Sequence, residues 1–352
     1  MEQAAVDALI TLLDLEPIEV NIFRGQSPQE DRQRVFGGQV AGQALVAAGR
    51  TVSWDQVVHS LHAYFLRPGD ARVPTIFEVD RVRDGGTYTT RLVKAIQHGE
   101  AILNMSVSFQ VETEGLEHQI DKPAEPREPG GVLYEEEMRS GVEALGFAPP
   151  EGDLLFDPPV EIRTVGGLRM FDASSRPPHT NSWVRTKGPL PDDPAIHQCV
   201  LAYASDMTLL SNAVNAHPIA VASPGFQSAS LDHAMWFHRP FRIDDWLLYA
   251  MESPVSARSR GFCRGTFFTR EFVDGTPLDE ALTPPSPARV RALFVSAAET
   301  LRELHRLGVV HGDLKPANVV FRSPAEPVLA DFGLARRVGE SLAGGSLGYM
   351  SP

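Results

Sequence analysis

The sequence predicts an α+β protein in which a helix-plus-antiparallel-sheet unit occurs twice, followed by a mainly helical segment of different character. Three observations carry this. Leu103, Met105, Val107, Phe109 and Val111 alternate with Asn104, Ser106, Ser108 and Gln110, the period-two pattern of a strand with one buried face. His62-Ala63-Tyr64-Phe65-Leu66-Arg67-Pro68 resembles His233-Ala234-Met235-Trp236-Phe237-His238-Arg239-Pro240, with 171 residues between the histidines and 172 between the arginines. Such self-similarity marks a duplicated unit. Near residue 270 the strand patterning stops, and Val290, Leu293, Phe294, Ala297, Leu301 and Leu304 recur at helical spacing.

Composition sets the outer bounds. At roughly 150 residues per domain, 352 residues make a little over two domains. The chain is 43% hydrophobic and 22% charged, ordinary for a globular protein. Its net charge of −13 argues against a general nucleic-acid or anionic-membrane binder, which needs a basic face. An anionic substrate would need a local basic patch. No apolar run approaches the ~20 residues of a membrane helix, and Met1-Glu2-Gln3 lacks the basic start of a signal peptide. Two cysteines, Cys199 and Cys263, are too few for a disulfide framework or a zinc cluster. A reducing, cytoplasmic setting is expected.

The elements follow in order. The first ~35 residues read as an acidic amphipathic helix and a loop. Gly37 to Thr51 is a helix with a small-residue surface that can lie close to a flat neighbour. Strands are expected over 57–66, 73–83, 87–97 and 103–111, with turns at Asp84-Gly85-Gly86 and His98-Gly99. Glu112 to Gly131, rich in Glu, Pro and Gly, reads as a linker. Trp183–Arg185 flanks a strand. Asp193-Pro194 opens a helix to about Val214, Pro194 suiting its first turn. Strands follow at about 230–237, 246–253 and 261–269. The repeat then demands a counterpart of the 103–111 strand near 275–283, where the chain has no alternating face. The second unit therefore lacks its last strand, which would leave an unpaired sheet edge.

VFGGQVAGQAL (35–45), HAYFLRPGD (62–70), ASDMTLL (204–210) and SLDHAMWFHRPFRIDDWLLY (230–249) resemble the acyl-CoA thioesterase II family over about residues 5–269. The resemblance implies a double hotdog, two helix-wrapped antiparallel sheets, divided here as 1–115, a linker at 116–131, and 132–269. It implies hydrolysis of acyl-CoA thioesters by a water that an Asp, a Ser or Thr and a Gln hold in place. Asp206 matches the Asp and Ser230 the Ser. A carboxylate can take the water's proton as general base, a hydroxyl can fix its position, and helix N–H groups can stabilise the oxyanion. The Gln belongs to the last strand of the second unit and has no counterpart here, since Gln110 lies on the equivalent strand of the first unit. His62 and His233 are candidates for lining the substrate channel and Arg67 and Arg239 for offering charge to CoA phosphates, beside plain structural roles for all four. Asp206 is read as a mid-helix residue. No metal and no cofactor are expected in this part, CoA being part of the substrate.

His311-Gly312-Asp313-Leu314-Lys315-Pro316-Ala317-Asn318 reads H-x-D-L-K-P-x-N, and Asp331-Phe332-Gly333 follows 13 residues after Asn318. On these motifs residues 270–352 resemble a protein kinase entered at its hinge, a partial and mainly helical C-lobe fragment. By motif position Asp313 would accept the substrate hydroxyl proton, Lys315 would steady the phosphate, and Asn318 and Asp331 would hold Mg²⁺. A glycine-rich loop, a strand Lys and the remainder of the lobe are not found. Mg²⁺ and ATP are therefore expected only for a complete kinase, and no kinase activity is expected. The alternatives to a thioesterase are a non-catalytic acyl-CoA-binding protein and a chimera of two coding sequences joined within 267–272. Acyl-CoA is the expected partner, with a possible homo-oligomer formed through the hotdog sheets.

Overall fold

A computed structural model describes residues 2–27, 34–116, 118–120, 123, 129–148, 156–168, 170–223, 225–269, 276–277, 287–306, 309–310, 319–323, 326–329 and 336–337. The chain forms two compact units, Met1–Glu117 with Pro126–Arg270, and His118–Glu125 with Glu271–Pro352.

In the larger unit, α1 (Glu2–Leu13) buries Val6, Leu9 and Leu13 along one stripe. The loop expected next is instead a hairpin, β1 (Glu16–Glu19) and β2 (Ile22–Gly25), which turns at Asn21 with φ 61°. Four residues of each strand are too few for alternation to show in the sequence. The long helix α2 (Gly37–Gly49) is buried on every side because it has a sheet on one flank and a second helix on the other. Its glycines permit this: a Cβ on Gly42 would stand 3.2 Å from the Cys199 carbonyl oxygen. Strands β3 (Gln56–Phe65), β4 (Thr75–Asp84), β5 (Tyr88–Gln97) and β6 (Glu100–Val111) follow, close to the expected spans. His98 and Gly99 carry φ of 52° and 77°, the double positive φ of a tight hairpin turn between β5 and β6. Leu103, Met105, Val107 and Phe109 are buried as their alternation requires.

The second half opens with β7 (Val132–Leu133), α3 (Tyr134–Ala144), β8 (Val160–Thr164) and β9 (His179–Thr186). Of these, only a strand flank at 183–185 is legible in the sequence. The helix expected to run to Val214 is broken. α4 (Pro194–Ser205) stops at Asp206, a turn follows, and α5 (Ser211–Asn215) is a separate piece. Asp193 starts α4 as expected, its side chain accepting from the Ala195 N–H at 2.9 Å. The last three strands are β10 (Asp232–Trp236), β11 (Leu247–Ala257) and β12 (Arg260–Thr269).

These strands form a seven-stranded sheet, β1-β2-β4-β5-β6-β3-β10, and a five-stranded sheet, β12-β11-β9-β8-β7. β10 thus joins the first sheet, pairing antiparallel with β3 so that Ala234 faces His62 and His233 faces Ala63. Strand positions fix the repeat at 172 residues: β4 at 75–84 corresponds to β11 from 247, and β5 at 88–97 to β12 from 260. Aligning His62 with His233 is one residue out of register. A one-residue slip reverses a strand's faces, and the two histidines do lie on opposite faces, His62 exposed and His233 buried.

The smaller unit contains α6 (Pro287–Arg306), 20 residues long, where the helical pattern predicts it. Beside it are β13 (Thr276–Pro277), β14 (Val309–Val310), β15 (Val319–Ser323), β16 (Glu326–Leu329) and β17 (Arg336–Arg337), in sheets β13-β15-β16 and β14-β17. No described helix is long and apolar enough to cross a membrane.

Candidate active site

Helix α2 begins without help from its own sequence. Phe36 stands at the N-cap and has no side-chain acceptor for the first free N–H groups. The missing acceptor comes from the other half of the chain. α4 ends at Asp206, and the Gly38 N–H donates to the Asp206 carboxylate. The positive end of the helix thus meets a negative charge. Both glycines are needed for this approach. A Cβ on Gly37 would stand 2.7 Å from Asp206 Oδ2, and one on Gly38 would stand 2.3 Å from the Tyr203 carbonyl oxygen.

Ser230, in the segment entering β10, donates from Oγ to Asp206 Oδ1 at 2.8 Å. The structure therefore brings together the two residues singled out in the sequence, 24 positions apart. The Phe65 ring closes one side of the site, 3.1 Å from where a Gly37 Cβ would be. The Phe65 N–H donates to the Leu231 carbonyl, tying the end of β3 to the same segment. Asp206 is not mid-helix, as expected, but caps the C-terminus of α4 with φ −86° and ψ −4°. That change frees its carboxylate to point across to α2.

Burial pushes the Asp206 carboxyl above the usual carboxylate range; the nearby His233 and the hydrogen bonds from Ser230 and Gly38 oppose the shift. Burial holds His233 below the usual imidazole range, against the attraction of Asp206 and Asp232. His233 Nε2 lies 2.9 Å from Ser205 Oγ, which also approaches the Ala202 carbonyl at 3.1 Å. The serine has one proton. With that proton on the Ala202 carbonyl, Nε2–H of a neutral imidazole donates to Ser205. The Tyr249 hydroxyl donates to the Ser205 carbonyl at 3.3 Å, and burial raises its phenol strongly.

The other residues named from the sequence lie apart from this cluster or outside the described residues. His62 points from the opposite sheet face, edge to face with Trp236 at 5.2 Å. Arg67 pairs with Glu100 at 2.8 Å and donates to the Ala101 carbonyl at 2.8 Å. Arg239 is exposed beyond β10. Asp313, Lys315, Asn318 and Asp331 lie outside the described residues. Cys199 is buried, its thiol pushed up to about 12, which makes it a poor nucleophile. Gly37, Gly38, Ser205 and Tyr249 are site residues that the motifs alone do not mark. A Gly-Gly pair opening a helix behind a phenylalanine is the signal the sequence does carry, because such an end needs an acceptor from elsewhere.

Solved structures of similar fold define the class first. A protein from Alicyclobacillus acidocaldarius described as having a hot dog fold matches with TM-score 0.58 at 19% identity, over 74% of this chain and 92% of that one, and shows the fold alone. An acyl-CoA thioesterase II, TesB2, from Mycobacterium marinum matches with TM-score 0.59 at 43% identity, over 74% of this chain and 90% of that one. The architecture is the double hotdog. Family models for the acyl-CoA thioesterase N-terminal domain and for acyl-CoA thioesterase match residues 26–110 and 155–278. Acyl-CoA thioesterase 2 of Haemophilus influenzae is 38% identical over 263 residues, 75% of this chain and 92% of that protein. The chain belongs to the acyl-CoA thioesterase family. A protein kinase domain model matches residues 264–352, and three kinases similar over this stretch are spanned for only 12%, 13% and 30% of their length.

Proposed function

We propose that the chain hydrolyses acyl-CoA thioesters to free fatty acid and CoA, with a water aimed by Asp206 and Ser230. Family membership supports the reaction, and the 2.8 Å contact between Ser230 Oγ and Asp206 Oδ1 at the N-terminus of α2 carries the assignment of residues. Ser230 donates its proton to Asp206, so its oxygen lone pairs are left to accept from the water. Water attacks the thioester carbonyl carbon while its proton passes to Asp206. The negative charge moves to the carbonyl oxygen, for which the N–H groups at the start of α2 other than that of Gly38 are the proposed donors. Collapse of the tetrahedral intermediate breaks the C–S bond, and CoA leaves as its thiol with the proton held by Asp206. A carboxylate held above its usual range is the stronger base for the first step.

Arg67 and Arg239 are proposed as donors to CoA phosphates; Arg67 would exchange Glu100 for a phosphate. The domain division at 115, 131 and 269, a cytoplasmic setting and association through the sheets belong to the same proposal. The kinase-like segment is read as inactive: incubation with ATP and Mg²⁺ gives no phosphotransfer, and any label transferred by the purified chain contradicts this.

A second reading, acyl-CoA binding without turnover, is favoured by the lack of the Gln that the family resemblance calls for. Thiol release measured beside direct binding separates the two. Steady release from a series of acyl-CoAs supports hydrolysis. Saturable binding without release supports the second reading.

A further inference from the structure

Asp206 directly follows the last residue of α4, so the aim of its carboxylate depends on how that helix end is held. A helix end leaves carbonyls without partners and frays unless other groups secure it. Ser205, the last residue of α4, is held at both of its polar groups. Its hydroxyl meets His233 Nε2 at 2.9 Å, and its carbonyl accepts from the Tyr249 hydroxyl at 3.3 Å. The two holders come from different sheets: His233 from β10 in the seven-stranded sheet, Tyr249 from β11 in the five-stranded one. Ser205, His233 and Tyr249 are 2%, 8% and 3% exposed. Hydrogen bonds this far from water are strong, and removing one partner strands the other.

The holders are themselves fixed. The Tyr249 ring stacks on Phe267, with centroids 3.8 Å apart and planes within 9°. Gly265 makes room for it, since a Cβ there would stand 2.3 Å from the Tyr249 ring. His233 is pinned in the β10–β3 ladder opposite Ala63. It lies three residues beyond Ser230, so one segment makes two successive contacts with the end of α4. Ser230 Oγ reaches Asp206 Oδ1 at 2.8 Å, and His233 reaches Ser205. This double contact sets the carboxylate and the hydroxyl at a fixed spacing. Burial favours a neutral imidazole at His233 and a protonated phenol at Tyr249, so both serve as hydrogen-bond donors and not as bases.

We propose that His233 and Tyr249 are positioning residues of thioester hydrolysis: through the hydroxyl and the carbonyl of Ser205 they lock the end of α4 and so aim Asp206 at the water. The inference rests on the hydrolysis proposed above. It gives His233 a role other than lining the substrate channel. Small errors of aim are costly, because attack needs the water held at near-attack distance.

Thiol release is measured against acyl-CoA concentration for the parent chain, Asp206→Asn, Tyr249→Phe, His233→Leu and His233→Gln, with thermal unfolding as the check on folding. Tyr249→Phe loses only the hydroxyl and keeps the ring stacked on Phe267. It should lower kcat about tenfold while KM stays within about twofold, since the lost hydrogen bond touches no substrate. His233→Leu should do the same. His233→Gln should recover most of that loss, because its amide N–H can stand where the imidazole Nε2–H stood. Three outcomes overturn the inference and leave the hydrolysis reading intact: a parental kcat in Tyr249→Phe or His233→Leu, a loss carried by KM instead of kcat, or His233→Gln as slow as His233→Leu. Each is read against a parent that turns over and an Asp206→Asn variant that does not. A parent without thiol release, or one no faster than Asp206→Asn, overturns the hydrolysis reading and the inference with it. If His233→Leu does not fold, Tyr249→Phe alone decides.

Discussion

Asp206 sits under opposed pressures. Burial disfavours its charge, while His233, Ser230 and the Gly38 N–H favour it, and burial wins. The folded chain therefore holds this proton to higher pH than the unfolded chain does. Stability from this group is fullest in acid and falls as pH rises from the ordinary aspartate value through the raised one. Two results follow. The acid limb of thioester hydrolysis lies above the ordinary carboxylate range, because the base works only once deprotonated. Asp206→Asn removes the buried charge but keeps only one acceptor oxygen, so its stability relative to the parent is higher at pH 7 than near pH 3. Thermal unfolding at the two pH values checks this; a stability difference that does not change between them contradicts it. Ser230→Ala removes one positioning hydrogen bond and lowers kcat about 5-fold to 150-fold, as about 1–3 kcal/mol implies. An unchanged kcat would remove Ser230 from the water site.

Between elements, α2 and α4 meet through glycines, and two neighbouring substitutions should behave differently. Gly38→Ala drives a methyl group into the Tyr203 carbonyl, a backbone atom held within α4. It should cost about 1–3 kcal/mol of stability or more. Gly37→Ala meets the Asp206 carboxylate, which can turn away. It should lower kcat with a smaller loss of stability. Denaturant unfolding and thiol-release assays on both variants test the contrast, and equal effects on the two quantities would contradict it. Legibility differs by element for physical reasons. β3 to β6 are long and alternate cleanly, so their spans could be read from the sequence. β1, β2 and β8 are only four or five residues long and too short for a period to emerge. The break after Ser205 was hidden because Met207, Leu209 and Leu210 continue the apolar character of α4 across a turn. Asp206 and Ser230 could be named from their motifs, but the helix end they serve could not, because it lies in the other half of the chain.

The whole molecule joins one nearly complete repeat architecture to a segment of another kind. The strand correspondences at 172 residues show that the faint sequence repeat was real, and burial shows that its histidines were aligned one residue out. The span in which the last strand is expected, 275–283, lies outside the described residues apart from Thr276–Pro277; among the described residues the two sheets are separate. With two compact units, heating should give two transitions instead of one. Calorimetry checks this, and a single transition with equal calorimetric and van't Hoff enthalpies would show that the units unfold together.

The central claim is that Asp206 activates the water that cleaves the thioester. Thiol release from a saturating acyl-CoA, compared between the parent chain and Asp206→Asn, tests it most directly. Loss of a general base predicts a fall of about 10²–10⁴-fold in kcat with the fold retained. Equal rates in the two proteins would contradict it.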